Sequence, residues 1–169
     1  MLQLSSQYEN LRYTYSKDII MSGTKTLKEF SSKFQIENLK ILSTQYWTWS
    51  VRPSQPTLGS GIISLNRYAL HFSEVTEEEM ADLGILISKL EKAVKSTFDY
   101  DIMNYLMLMM VDHHVHYHVI PRYNGTRQFA DLEWVDNGWP ALPVLADSQD
   151  KGQSDLLLKI KDELISIIQ

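Results

Sequence analysis

Apolar positions along the chain recur with two periods, and the switches between them mark out the elements. Between Thr24 and Phe34, residues Leu27, Phe30 and Phe34 fall on one stripe at helical spacing, which predicts a short helix. From about Leu39 the runs become strand-like: Leu39–Leu42, then Tyr46–Arg52 closed by Pro53-Ser-Gln-Pro56, then Gly61–Leu65. The clearest helix follows. Thr76 and Glu79 form a capping box, and Val75 and Met80 occupy the positions of a hydrophobic staple. Met80, Leu83, Leu86, Ile87, Leu90, Val94 and Phe98 then recur on one face. Gly84 inside this helix costs about 1 kcal/mol relative to Ala. Ile102–Val111 is almost wholly apolar, with Asn104 its only strongly polar residue, and predicts a strand buried on both faces. His114–Ile120 predicts another strand, stopped by Pro121. Residues 122–153 show no period and read as irregular. Ser154 caps a last helix with Leu157, Ile160, Leu164 and Ile168 on one stripe.

This order of elements, with short links between consecutive strands, implies antiparallel pairing. The fold class is α+β: an antiparallel sheet with a long helix between strands and a C-terminal helix. Residues 1–36 read as an N-terminal extension and 37–169 as the domain proper.

Composition narrows the function classes. The chain has 169 residues, 44% apolar and 22% charged, ordinary for a globular domain. No apolar run approaches the roughly 18 residues of a membrane span, and the start at Met1 lacks a signal-peptide pattern. A cytoplasmic protein without membrane contact is the expectation. A net charge of −5 disfavours nucleic acid as a partner and requires that any phosphate be held by locally gathered positive groups. There is no cysteine, so thiolate catalysis and cysteine metal sites are excluded.

Four of the five histidines lie between His113 and His118. On a strand alternate side chains share a face, so His114, His116 and His118 point one way and Val115, Tyr117 and Val119 the other. His113 faces away from the three. Same-face neighbours stand about 6.6 Å apart, and three imidazoles at that spacing can converge on one small anion. Three readings stand: a polar strand edge, a three-histidine metal site, and catalysis by the imidazoles themselves. Strict alternation opposite an apolar face weighs against the first. The lack of a nearby acidic ligand other than Asp112 weighs against the second. Histidine suits the third because it serves as nucleophile, general acid or donor near neutral pH.

The run His114-Val-His-Tyr-His-Val-Ile120 resembles the signature of the histidine triad (HIT) superfamily. Pro56–Arg67 and Phe72–Met80 also resemble segments of that family, so the similarity spans roughly residues 39–122. The resemblance implies a compact antiparallel sheet with helices, usually in a homodimer. It implies a nucleotide hydrolase or nucleotidyl transferase that cleaves at the α-phosphate through a nucleotidyl-histidine intermediate. His116 takes the place of the nucleophile. His114 and His118 take those of the flanking histidines, and His118 points to the hydrolase branch. Asn104 fits the asparagine that contacts the phosphate or leaving group. Dinucleoside polyphosphates and nucleoside phosphoramidates are the implied substrates. The histidines need no metal or cofactor, and Mg²⁺ enters only with a polyphosphate substrate. A non-catalytic nucleotide sensor on the same fold is the alternative.

The sequence departs from that family at two places. The Gly-Gln-Ser/Thr segment before the triad is replaced by Met109-Met-Val-Asp112. Arg52 and Ser60 stand where relatives carry ribose-binding residues, and a guanidinium only donates, so Arg52 is a candidate phosphate ligand or a solvated loop arginine. Arg122 is a candidate anion ligand or a surface residue. Asp112 orients a histidine or, favoured here, forms a turn. Gly59-Ser-Gly61 is weak as a phosphate loop because a strand follows it. Tyr46, Trp47 and Trp49 read as core before they read as a base-stacking platform.

Overall fold

Hydrogen bonds between strands close in sequence build most of the sheet, and one central pairing, of Gly61–Ser64 with His116–Val119, spans the long helix between them. The computed structural model describes residues 22–150 and 152–168; the first 21 residues of the expected N-terminal extension lie outside them. Strands β1 (Lys40–Ser43), β2 (Trp47–Val51), β3 (Gly61–Leu65), β4 (Ile102–Leu106) and β5 (His116–Arg122) form one antiparallel sheet in the order β1-β2-β3-β5-β4. Helix α1 covers residues 22–33, and a turn leads into the single-turn helix α2 (Ile36–Leu39). Helix α3 (Glu77–Phe98) links β3 to β4, and helix α4 (Ser154–Ile168) closes the described chain. The fold is α+β, with the long helix between strands and the C-terminal helix read from the sequence.

Period-two alternation decides what each sheet face holds. Trp47, Trp49 and Val51 of β2, Ile63 and Leu65 of β3, and Val119 of β5 point at α3 and α4. They meet Leu83, Leu86, Leu90 and Val94 of α3 and Leu157, Ile160 and Leu164 of α4 in the main core. Trp47 Nε1 donates to the Glu79 carbonyl at 2.7 Å, which satisfies its one polar atom inside that core. The capping box at α3 forms: Thr76 Oγ1 accepts from Glu79 N, and Glu79 Oε2 accepts from Thr76 N. Glu79 is buried and also pairs bidentately with Arg67, which ties the helix start to the end of β3. Met80 is largely exposed, so the apolar stripe of α3 starts at Leu83. No described helix is long and apolar enough to cross a membrane.

Three expectations are corrected. The run Ile102–Val111 is not one doubly buried strand. β4 ends at Leu106 and is the outermost strand, and Ile102, Leu108, Met110 and Val111 are exposed. An unbroken apolar run does not distinguish a central strand from an apolar edge, and here it is the edge. Pro121 does not stop β5: it stands opposite Met103, and the ladder runs on to Arg122, whose carbonyl accepts from Asp101 N. Residues 122–153 are not all irregular. Strands β6 (Thr126–Phe129) and β7 (Leu132–Val135) form a hairpin whose turn residues Ala130 and Asp131 both have positive φ, 52° and 59°. Such turns usually carry Asn-Gly or Asp-Gly, so Ala-Asp hid this one.

Candidate active site

The polar side chains converge on the sheet face opposite α3 and α4. The register aligns Thr48 with Ser64 and Ser64 with His116, and in the next row Ser50 with Ile62, His118 and Leu106. His114 lies one residue before the strand-flanking Val115, whose carbonyl accepts from Leu65 N. All three triad histidines are buried, as the alternation placed them; His113 is exposed and apart from them.

Hydrogen bonds settle the imidazole tautomers, because a backbone carbonyl only accepts. His116 Nδ1 lies 2.7 Å from the His114 carbonyl, so Nδ1 carries the proton and Nε2 keeps its lone pair. His116 Nε2 lies 3.3 Å from His118 Nε2, and between two such nitrogens the proton belongs to His118. His114 Nε2 donates to the Leu65 carbonyl at 2.9 Å. The Nδ1 atoms of His114 and His118 are buried and find no partner among the described residues. Burial holds His114 and His118 down at about 4, with the neighbouring His116 adding to the effect. Burial lowers His116 too, while the His114 carbonyl and Asp112 oppose the shift. All three are therefore neutral at pH 7 in this conformation. The in-plane lone pair of His116 Nε2 thus accepts a 3.3 Å bond from His118, and the group that holds the far nitrogen of His116 can stabilise the positive charge that develops when the lone pair is used.

The other candidates fall into two groups. Asn104 sits on β4 opposite Ile120, on the triad face, with Oδ1 accepting from Arg122 Nη1 at 3.1 Å. Arg122 is buried rather than at the surface. Its Nε and Nη2 donate to Asp136 at 2.5 and 3.2 Å, and Nη2 also donates to the Ala141 carbonyl. This guanidinium is committed to protein acceptors, and its contact with the site runs through Asn104. Arg52 is half-buried just past β2, with Nη1 donating to the Ser54 carbonyl at 2.6 Å and Nε without a partner among the described residues. Its charge acts on His118.

Gly59 N donates to Gln55 Oε1 and Leu58 N donates to the Tyr123 hydroxyl, so these loop amides are spent inside the protein. Trp47 and Trp49 are fully buried in the main core, away from the triad face. Asp112 binds Lys33 Nζ through both oxygens, at 2.6 and 2.8 Å. No group of three or more His, Asp or Glu among the described residues is arranged to hold a metal ion.

The sequence reading missed what covers the triad. Phe30 of α1 lies with its ring centroid 4.8 Å from that of His114 and 4.9 Å from that of His116. Phe34 stands 5.8 Å from both His116 and His118, and Tyr68 stacks on His114. The stripe Leu27, Phe30 and Phe34 was visible in the sequence, but nothing in it named the surface the stripe would meet. Asp136 gave no signal at all, lying in a stretch without period.

The fold is one that other proteins share. Residues 62–125 match the family model of the HIT domain. The fold is similar to that of a hypothetical histidine triad nucleotide-binding protein of Sulfolobus tokodaii, with a TM-score of 0.56 at 14% identity over 80% of this chain and 93% of that one. A histidine triad protein of Sinorhizobium meliloti gives a TM-score of 0.56 at 17% identity over 76% and 93%. The diadenosine triphosphate hydrolase of Plasmodium falciparum gives 0.53 at 15% identity over 79% and 80%. Among curated protein sequences none matches the chain. The chain thus carries a match to the HIT domain over residues 62–125, on a fold similar to that of histidine triad proteins.

Proposed function

We propose that the protein is a HIT-type hydrolase that cleaves nucleotide substrates at the α-phosphate with His116 as nucleophile. One observation carries the reading: His116 Nδ1–H is held by the His114 carbonyl, which leaves the unprotonated Nε2 beside the imidazole of His118. In the first step His116 Nε2 bonds to the α-phosphorus, and the bond to the leaving group breaks. The bound anionic substrate favours protonation of a neighbouring imidazole, and the leaving group departs with the electron pair and takes that proton. In the second step water adds to phosphorus and gives a proton to the same imidazole, His116 leaves with its electron pair, and a nucleoside monophosphate is released. The His114 carbonyl stabilises the cationic nucleotidyl-imidazole between the steps. Arg122 holds Asn104 by its carbonyl oxygen, which leaves the amide N–H groups as the donors for a phosphate oxygen. Arg52 supplies positive charge on the His118 side. The substrates are dinucleoside polyphosphates or nucleoside phosphoramidates, with Mg²⁺ entering only on a polyphosphate.

The active unit is a homodimer. What supports this is the outer edge of β4, unpaired among the described residues, with Ile102 exposed on it and Leu108, Met110 and Val111 exposed in the loop that follows. The covered triad favours a second reading, a nucleotide sensor without turnover. The deciding experiment incubates purified protein with diadenosine polyphosphates and with an adenosine phosphoramidate, with and without chelator, beside His116→Ala. Chelator-resistant release of AMP that is lost in His116→Ala supports the hydrolase. Saturable binding without release supports the sensor.

A further inference from the structure

The sheet face that carries the triad is polar, yet its cover is apolar. Thr48, Ser50 and Ser64 share that face with the three histidines. Above it Phe30, Phe34 and Ile36 gather around Ile62 in a separate apolar cluster. The fit leaves buried polar atoms stranded: Ser50 Oγ, His114 Nδ1 and His118 Nδ1 find no partner among the described residues. Native structures pair such atoms, and a face with several unpaired ones is made for something other than a phenyl ring. The cover also closes the space. Three of the cavities touch α1 and none of these is lined by a triad imidazole: one of about 380 Å³ lies on its outer side over Lys28, Ser32 and Gln35, and the two next to the triad face, bordered by Lys33 and Asp112 or by Leu27 and Thr48, hold about 250 and 150 Å³. Both of the latter are smaller than the roughly 300 Å³ at which ligand pockets begin.

The attachment of α1 is that of a hinged part. α2 is anchored, with Leu39 buried in the main core. Between the two helices Gln35 takes a left-handed conformation, φ 50° and ψ 38°. At the far side the Lys33–Asp112 pair clasps α1 to the loop that leads into the triad strand. That clasp is half-exposed at Lys33 and therefore weak and breakable.

We infer that α1 is a displaceable cover that occupies the nucleotide-binding surface, with Phe30 and Phe34 standing where the ligand must lie and Thr48, Ser50 and Ser64 forming a polar floor that the ligand meets once α1 swings away at Gln35. The inference rests on the proposed site and adds its regulation: the covered chain is the resting state, and ligand competes with α1. Apparent affinity is then reduced by the fraction of chains that are open.

The test reads imidazole accessibility, which does not depend on turnover. The full chain is treated with diethyl pyrocarbonate, and modification of each histidine is followed by peptide mass spectrometry, in the wild type, in Phe30→Ala/Phe34→Ala and in Lys33→Glu. The triad of the wild type should react about tenfold or more slowly than exposed His71 and His113, and the variants should close that gap while AMP binds about tenfold more tightly. Lys33→Glu breaks the clasp while leaving both phenyl rings in place, and serves if the double variant fails to fold by circular dichroism. A wild-type triad that reacts as fast as His71 overturns the inference, as does a triad still protected in a folded variant. Failure of the hydrolase reading shows separately, as AMP binding without release in the uncovered variants.

Discussion

His116 and His118 face each other across 3.3 Å, Nε2 to Nε2, and only one proton fits between them. Because the His114 carbonyl fixes a proton on the far nitrogen of His116, the shared proton sits on His118. The pair is thus asymmetric before any substrate arrives: one imidazole offers a lone pair and its neighbour a proton.

The two residues should respond differently to substitution. His116→Ala is expected to abolish turnover. His118→Gln removes a titratable proton donor and should lower kcat by about 10²–10⁴-fold with a smaller change in KM. Steady-state kinetics on one substrate, with folding checked by circular dichroism, separates the two. Equal loss in KM and unchanged kcat in His118→Gln would make His118 a binding group only.

Acid should destabilise the protein in a window set by the triad. His114 and His118 are held at about 4 against an ordinary 6.5, mainly by burial. The unfolded chain takes up their protons as pH falls through about 6.5, while the folded chain does not until about 4, so stability falls across that interval. The charged groups acting on them are His116 and Arg67 at His114, and His116, Arg52, Asp112 and Lys33 at His118. The urea midpoint should drop between pH 7 and 5, and His118→Gln should flatten that slope. A midpoint unchanged over the interval would mean that the imidazoles titrate normally in the folded protein.

Asp136 and Arg122 form a nearly water-free pair, with side chains 1% and 5% exposed. Removing one partner of such a pair strands the other charge, so Asp136→Ala should cost about 3–5 kcal/mol in urea unfolding. In whatever folds, kcat should also fall, because Arg122 no longer fixes Asn104. A cost below about 1 kcal/mol would show that water reaches Arg122 freely.

Two glycines should answer oppositely to alanine. A Cβ on Gly61 would meet Trp49 Nε1 at 2.8 Å and the Ser50 carbonyl at 3.0 Å, so Gly61→Ala should destabilise by about 1–3 kcal/mol. A Cβ on Gly84 meets nothing within 4 Å on an exposed helix face, so Gly84→Ala should stabilise by about 0.5–1 kcal/mol. Thermal melts of both variants check the pair of signs.

The oligomer prediction is made at the β4 edge. Ile102→Lys combined with Met110→Glu should convert a dimer to a monomer in sedimentation or light scattering. A wild-type chain that is monomeric at all concentrations would remove the edge from the account.

Much of this site was readable because strand alternation is a strict rule. Period two alone put His114, His116 and His118 on one face and Val115, Tyr117 and Val119 on the other, and the capping box at Thr76 marked the start of α3. The errors came where local pattern does not carry the tertiary answer. An apolar run at Ile102–Val111 reads the same at the centre of a sheet and at its edge. Ala130-Asp131 makes a hairpin turn without the usual turn residues. Arg122 looked like a free cation until Asp136, from a stretch without period, arrived beside it. The largest omission was α1: its stripe announced that Phe30 and Phe34 bury themselves, but only the fold shows that they do so on the triad.

The most direct test of the account is to catch the intermediate. The Phe30→Ala/Phe34→Ala protein and the wild type would be mixed with an adenosine phosphoramidate or a diadenosine polyphosphate, and quenched with alkaline denaturant, in which a phosphorus–nitrogen bond survives. Peptide mass spectrometry would then locate any adduct. The account expects an adenylyl group on His116, more of it in the uncovered variant, and none in His116→Ala. Release of AMP with no adduct on His116, or with an adduct on another residue, would contradict it.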